Sequence, residues 1–340
     1  YIGTWHVVVG KDPDSEWVNW GMYRLQILGR RAMGGVIGPW ANQFQLFYGK
    51  YVPRGQNMPF AIAIGADPVS SFLAASYLPP GVSEADYAGG LRQEPVELIK
   101  GETNDLYVPA YAEIILEGEI LKDVTVNEGP FGEYVGYRAG PRTARPVYQV
   151  NCITHRNNPI LTVSNMGLPI DDCALGMSIS LAYQIKKRLR DFRIPFIDVN
   201  VVPEGITFLA VVSTIPFYSG IANQIAHIAS QTIEPHMVIV VNNDVDVFDI
   251  RQVLHALATK CHPVRGIRAF ESEMGLPFCP YLKPEERRIM KGARVVFDCT
   301  WPLDWPKETA IPPRSSFNEM YPQEIKDKVL ANWKKYGFKS

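Results

Sequence analysis

Cysteine is scarce in this chain, five in 340 residues, at Cys152, Cys173, Cys261, Cys279 and Cys299, and no two form a C-x-x-C pair. An odd, scattered set excludes a disulfide framework and a thiolate zinc site; it fits reduced thiols filling core space in a cytoplasmic protein. Histidine is equally sparse: His6, His155, His227, His236, His255 and His262 show neither H-x-x-x-H spacing nor the neighbouring acid of a zinc pattern. An excess of one charge is missing as well. Lys+Arg 34 against Asp+Glu 35 leaves a formal net charge of -1 with no basic block, which argues against nucleic acid as a partner. No apolar run is long enough to span a bilayer, so no membrane partner is expected. The G-x-x-x-x-G-K-[ST] and G-x-S-x-G motifs are absent, and the commonest nucleotide-hydrolase and esterase readings go with them.

What is present is a globular composition, 46% hydrophobic and 20% charged, in a chain long enough for two domains. It opens Tyr1-Ile2-Gly3-Thr4-Trp5-His6 in a strand pattern without a methionine or a leader, and reads as the interior of a longer protein. Short apolar runs broken by Gly, Pro and Asn predict strands at 6–9, 17–28, 34–37, 60–64, 113–116 and 146–154. Helices are expected over 42–49 and from Pro68, which precedes a serine, to Ala75. Residues 1–165 therefore read as a mostly β unit, a barrel. Apolar residues at helical spacing over 175–192, with Lys186, Lys187, Arg188 and Arg190 near the end, predict a linker helix within 166–192. Strands at 197–202, 208–212, 237–241 and 293–298 alternate with helices at 219–230 and 249–258, making 193–320 an α/β unit. A Pro- and Trp-rich arm over 301–313 leads to a terminal amphipathic helix in 321–340, with Ile325, Val329, Leu330 and Trp333 on one face to pack on a neighbour.

The chemistry concentrates in Glu128-Gly129-Pro130-Phe131-Gly132-Glu133, where two carboxylates flank a tight turn. Confined paired acids acquire separated pKa values, suiting one to give a proton while the other stays charged. On these residues alone two solvated glutamates are the commoner outcome. Arg24 lies in an aromatic-rich stretch with Asn19 and Tyr23, where burial would demand an acid partner such as Glu128 or Glu133. Glu84 follows Ser83 at an expected helix start, where capping and dipole complementarity explain it without a function. Asn242-Asn243-Asp244-Val245-Asp246 lacks the Gly and final Glu of a calcium loop and reads as a turn, with Asp249 capping the next helix.

Together the segments Tyr1 to Thr4, Trp17 to Arg24, Pro80 to Tyr87, Glu102 to Pro109, Glu128 to Tyr137, Tyr148 to Asn158 and Asp244 to Asp246 are similar, in order, to the UbiD family of decarboxylases. The resemblance covers nearly the whole chain and lacks the family's N-terminal region. It implies an α+β protein: a split β-barrel that binds prenylated FMN, a linker helix and an α/β dimerisation domain. It implies an Arg and two Glu in catalysis, here Arg24, Glu128 and Glu133, with Glu133 as proton donor and acceptor and the other two orienting it. Cofactor contacts fall on Asn19, Met22, Tyr23, Arg24 and Glu84. A manganese or magnesium ion would be held by Asn19 and Glu84, with potassium nearby. The family's third metal ligand is His, whereas this chain reads Gly38-Pro39-Trp40-Ala41-Asn42-Gln43; the match falls on Ala41 or Asn42, and only Asn42 offers an oxygen. The implied activity is reversible decarboxylation or carboxylation of an aromatic or α,β-unsaturated acid, with carbon dioxide as the other partner, in a homodimer or higher homo-oligomer. The alternative is a non-catalytic UbiD-like subunit of a larger carboxylase complex, with partner subunits.

Overall fold

The computed structural model describes residues 1–138, 140–232 and 234–339, with Ser272 described in its backbone only. Ser340, the last residue of the expected C-terminal segment, lies outside the described residues.

The first part of the chain supplies β1 (His6–Lys11), β2 (Val18–Gly21), β3 (Leu25–Ile27), β4 (Ala32–Gly35) and β5 (Met58–Ile64). It also supplies the short pair β6 (Leu98–Lys100) and β7 (Tyr107–Pro109), then the long strands β8 (Ile114–Glu128) and β9 (Thr143–His155). Seven of them form one antiparallel sheet in the order β2-β1-β5-β8-β9-β4-β3. Its central strands read as unbroken apolar runs because both faces are buried. Val8, Phe60, Ile62 and Ile64 enter one core, and Val7, Val9, Ala61 and Ala63 the other, as period-two alternation requires. Helices α1 (Asn42–Leu46), α2 (Pro68–Ala74) and α3 (Glu84–Arg92) cover these cores, placing Leu46 in the first and Leu73, Ala74 and Ala88 in the second.

Two expected elements change here. The strand predicted over 17–28 is interrupted at residues 22–24, because β2 and β3 lie at opposite edges of the sheet. Three residues bridge those edges, so the sheet is curled, and Arg24 at the end of the bridge accepts the Val36 N–H at 3.4 Å. The strand predicted over 113–116 continues to Glu128, paired with β9 from Ile114↔His155 to Glu128↔Thr143. Its outer half is polar, and cross-strand backbone bonds to β9 extend it where no apolar alternation marks it.

Helix α4 (Asp172–Asp191) starts at Asp171, whose carboxylate accepts the Ala174 N–H at 2.9 Å. Its buried face runs Cys173, Met177, Leu181, Ile185 and Leu189 at four-residue intervals. Cys173 and Met177 belong to a core shared with residues of the first sheet's loops, and the others to the core of the second sheet. The second sheet contains β10 (Asp198–Val201), β11 (Leu209–Thr214), β12 (Met237–Asn242), β13 (Ile267–Met274) and β14 (Lys291–Cys299) in the order β10-β11-β12-β14-β13. The three central strands are parallel, and the two edge strands antiparallel. Helices α5 (Ile221–Ala229) and α6 (Ile250–Thr259) feed separate cores, Ile225 in one and Val253 in the other, so the sheet is covered on both faces. Asp249 caps α6 through the Arg251 N–H at 2.9 Å, as the sequence implies.

Beyond the second sheet's helix α7 (Pro284–Arg288) lie α8 (Phe317–Met320) and α9 (Gln323–Ala331). The apolar side chains Ile325 and Leu330 of the face expected to pack on a neighbour are exposed, while Trp333 stacks on Phe338 at 4.4 Å. Among the described residues no helix is long and apolar enough to cross a membrane.

Candidate active site

The gap between the sheet edges sets the site. Arg24, at the end of the bridge between those edges, turns its guanidinium onto the end of β8, where Nε meets Glu128 Oε1 at 3.0 Å and Nη2 meets Oε2 at 2.8 Å. This fork is the bidentate geometry that arginine alone supplies. The remaining Nη1 is ion-paired with Glu133 Oε1. Glu128 and Glu133 are 0% and 4% exposed, so the site is a buried triad of two acids around one cation and not a pair of solvated glutamates.

Local backbone chemistry brings Glu133 back. Glu128 is the last residue of a strand and not the start of the turn. Gly129 then takes φ +109, a left-handed conformation that a side chain would strain. Its N–H is fixed by Gln26 Oε1 at 3.0 Å and its carbonyl by Arg142 Nε at 2.7 Å. The Glu133 N–H bonds the Tyr137 carbonyl at 2.9 Å, closing the far side. Phe131 lies under the guanidinium, 5.0 Å from its carbon, and packs against Tyr1 at 4.6 Å. Tyr1 also donates its hydroxyl to Glu128 Oε1 at 2.8 Å, and burial with that carboxylate pushes the phenol up to about 12.

A second polar group sits at the β2 end. Asn19 Nδ2 donates to Glu84 Oε1 at 2.7 Å, and the Trp20 N–H to Oε2 at 2.8 Å. Ser83 makes no side-chain cap, and Glu84 turns inward, 1% exposed, so capping does not account for it. Burial pushes Glu84 up from 4.5 to about 7, against the lowering effect of its hydrogen bonds. Asn19 Oδ1 is buried without a hydrogen-bond partner, which leaves an oxygen donor for a cation or a ligand N–H. Asn42 gives its Nδ2 to the Leu78 carbonyl at 3.0 Å. Among the described residues no cluster of three His, Cys, Asp or Glu side chains forms a metal site.

The raised Glu84 carries a sign. Its neutral form is favoured in the fold, so the stability it contributes is present below about pH 4.5 and is lost as pH rises through about 7. Metal-free protein is therefore expected to lose up to about 3 kcal/mol across that window relative to Glu84→Gln. Urea midpoints for both proteins at the two ends of the window test it, and parallel pH profiles would place Glu84 in contact with water.

Both groups face one cavity of about 830 Å³. Asn19, Met22, Tyr23, Arg24, Asn42, Glu84 and Glu133 line it, with Glu128 set behind Arg24; the neighbouring Ala41 lines it too. Part of the remaining wall comes from the other half of the chain: Cys173, Met177, Glu234 and Phe278. Tyr1, Tyr134 and Glu234 are members of this site that sequence reasoning passes over. Glu234 meets Tyr134 across 100 residues, and no local pattern marks such a pair.

Comparison with known proteins agrees with this geometry. Residues 1–169 match the 3-octaprenyl-4-hydroxybenzoate carboxy-lyase Rift-related domain (UbiD), and residues 177–299 its C-terminal domain. The chain is 33% identical to the pyrrole-2-carboxylic acid decarboxylase of Pseudomonas aeruginosa, over 99% of this chain and 70% of that protein. Its fold is similar to the UbiD-class enzyme HmfF of Pelotomaculum thermopropionicum in complex with FMN, with TM-score 0.83 and 30% identity over 98% of this chain and 71% of that one. Vanillic acid decarboxylase of Sedimentibacter hydroxybenzoicus, 27% identical over 98% of this chain and 70% of that one, matches at TM-score 0.84 in its closed form. Its open form matches at 0.79. By its family domains, its relatives and its fold, this chain belongs to the UbiD family of carboxy-lyases.

Proposed function

We propose that this chain catalyses reversible decarboxylation of an aromatic or α,β-unsaturated carboxylic acid with prenylated FMN, and that Glu133 delivers and removes the proton. The observation that carries this reading is the buried Arg24–Glu128–Glu133 triad on the wall of the cavity. Glu133 lines that cavity while Glu128 stands behind Arg24, so the acids differ in access: one faces a substrate, the other holds the cation. Prenylated FMN, when bound, supplies an electrophilic carbon and an electron sink for loss of carbon dioxide. The protein supplies orientation, exclusion of water and the placed acid.

The cavity suits a flavin and a small acid. It is lined by Met22, Trp40, Tyr77, Met166 and Phe278, with polar groups grouped at the β2 end, the usual division of a cofactor pocket. Asn19, Met22, Tyr23, Arg24 and Glu84 would hold the flavin. Asn19 Oδ1, Glu84 and Asn42 form an all-oxygen set that fits a hard cation, manganese or magnesium, with potassium nearby. On that basis Asn42→His is expected to tighten Mn²⁺ binding by about tenfold, read by the loss of free Mn²⁺ signal in electron paramagnetic resonance. An unchanged affinity would move the third ligand off residue 42.

We read residues 1–165 as a split barrel, on the three-residue bridge between the sheet's edges, and 166–192 as the linker. Residues 193–320 would be the dimerising α/β unit and 321–340 a terminal arm. The five free cysteines suit a reducing, cytoplasmic setting. The better match to the closed than to the open Sedimentibacter enzyme leads us to assign a closed arrangement to this chain. The deciding experiment loads the protein with prenylated FMN and follows labelled bicarbonate into candidate acids. Exchange that depends on the cofactor is expected; absence of cofactor binding, with co-purification of a catalytic partner, would favour the non-catalytic subunit.

A further inference from the structure

Glu234 is a buried carboxyl with no part in the chemistry above. It lies just ahead of β12, is 1% exposed, and lines the cavity from the side opposite the first sheet. Its Oε1 accepts the Tyr134 hydroxyl at 2.9 Å, and Tyr134 follows Glu133 directly in the chain. A buried hydrogen bond thus joins the loop that carries the acid to the second sheet. Around it the contact is apolar: Tyr134 and Val135 pack with Ile206, Leu276, Cys279 and Leu282 in one cluster, and Phe278 meets Tyr134 edge-on at 6.3 Å.

The electrostatics match a tie that works with a neutral carboxyl. Burial pushes Glu234 up from 4.5 to about 7; the Thr207 and Tyr134 hydroxyls pull it down, and no cation stands among the groups that shift it. Oε2 is buried without a hydrogen-bond partner. The other titratable groups facing it are the Tyr77 phenol and the Cys279 thiol, both raised by burial and, secondarily, by Glu234. His236, two residues on, points its Nδ1 at Tyr281 Oη, 3.1 Å away, and Cys279 Sγ, 3.5 Å away. The two hydroxyls favour the ionised form of Glu234, but burial outweighs them.

We propose that Glu234 is a positioning residue: by holding the Tyr134 hydroxyl it fixes the Glu133 loop against the second sheet and keeps the cavity closed. This rests on the reading of Glu133 as the proton donor. In an opened arrangement the carboxyl would meet water and ionise at its ordinary value. The closed arrangement is therefore favoured most below about pH 4.5, loses ground as pH rises to about 7, and changes no further above that. Across the window the closed-to-open ratio falls by as much as about 300-fold.

Hydrogen exchange of the amides in residues 129–138, combined with kcat and KM across this pH window, tests the tie. Tyr134→Phe removes a single hydroxyl. It is expected to speed exchange in 129–138 about tenfold and to lower kcat with KM little changed. Glu234→Gln keeps an oxygen for Tyr134, so slow exchange is retained and its pH dependence disappears. Exchange in 129–138 left as in the unaltered protein by Tyr134→Phe, or a pH profile left intact by Glu234→Gln, would overturn the proposal. Hydrogen exchange needs neither cofactor nor substrate, which separates the two readings. A loosened loop in Tyr134→Phe, beside normal bicarbonate exchange in Glu133→Gln, sinks the role of Glu133 and keeps the tie; the reverse pair of results sinks the tie alone.

Discussion

Glu133→Gln is expected to lower bicarbonate exchange by about 10³-fold or more while leaving flavin binding and the folded state in place. The substitution is nearly isosteric. An amide oxygen still reaches Arg24 Nη1, where Glu133 Oε1 is ion-paired, so the loop from Gly129 keeps its anchors at Gln26, Arg142 and Tyr137. What disappears is a group that can hold and release a proton at the cavity wall. The triad has no second acid there, because Glu128 is wholly buried with both oxygens engaged by Arg24 and a further bond from Tyr1. Cofactor absorbance and the urea midpoint serve as controls for the fold. Exchange at close to the unaltered rate, with both controls normal, would hand the proton to a different group, and Glu234 would be the first to test.

The triad was legible through the family resemblance: two glutamates around Gly-Pro-Phe-Gly and an arginine in an aromatic stretch are conspicuous, but taken alone they read as solvated acids and a structural ion pair. The central strands β1 and β5 were legible for a physical reason, since burial on both faces writes an unbroken apolar run. The outer half of β8 was not, since it is an exposed, polar ribbon held by its partner's backbone. Edge strand β13 was missed for a related reason: Arg268, Glu271 and Glu273 break up its apolar residues, as suits an edge exposed to water. Glu84 reads as a helix-capping acid until Asn19 and the Trp20 N–H, more than sixty residues away, are seen to claim its oxygens. Glu234 leaves no signal at all. One glutamate before a proline becomes a feature of the site only when the fold sets Tyr134 against it.

Arg24→Met should be the most destabilising single change in the site, costing about 3–5 kcal/mol at neutral pH. Methionine fills much of the same space, so the packing on Phe131, 5.0 Å from the guanidinium carbon, is largely kept and the charge is what goes. Glu128 and Glu133, 0% and 4% exposed, are then two buried carboxyls with no cation between them. Each must give up its charge or draw water inward, and either weakens the closed loop. Adding Glu128→Gln to Arg24→Met removes the more deeply buried charge, while the amide keeps an oxygen for the Tyr1 hydroxyl. The double variant is therefore expected to be more stable than the sum of the singles predicts. Urea unfolding at constant m-value measures all three. A cost below about 1 kcal/mol for Arg24→Met is the range of a solvated surface pair, and would mean that water already reaches the triad.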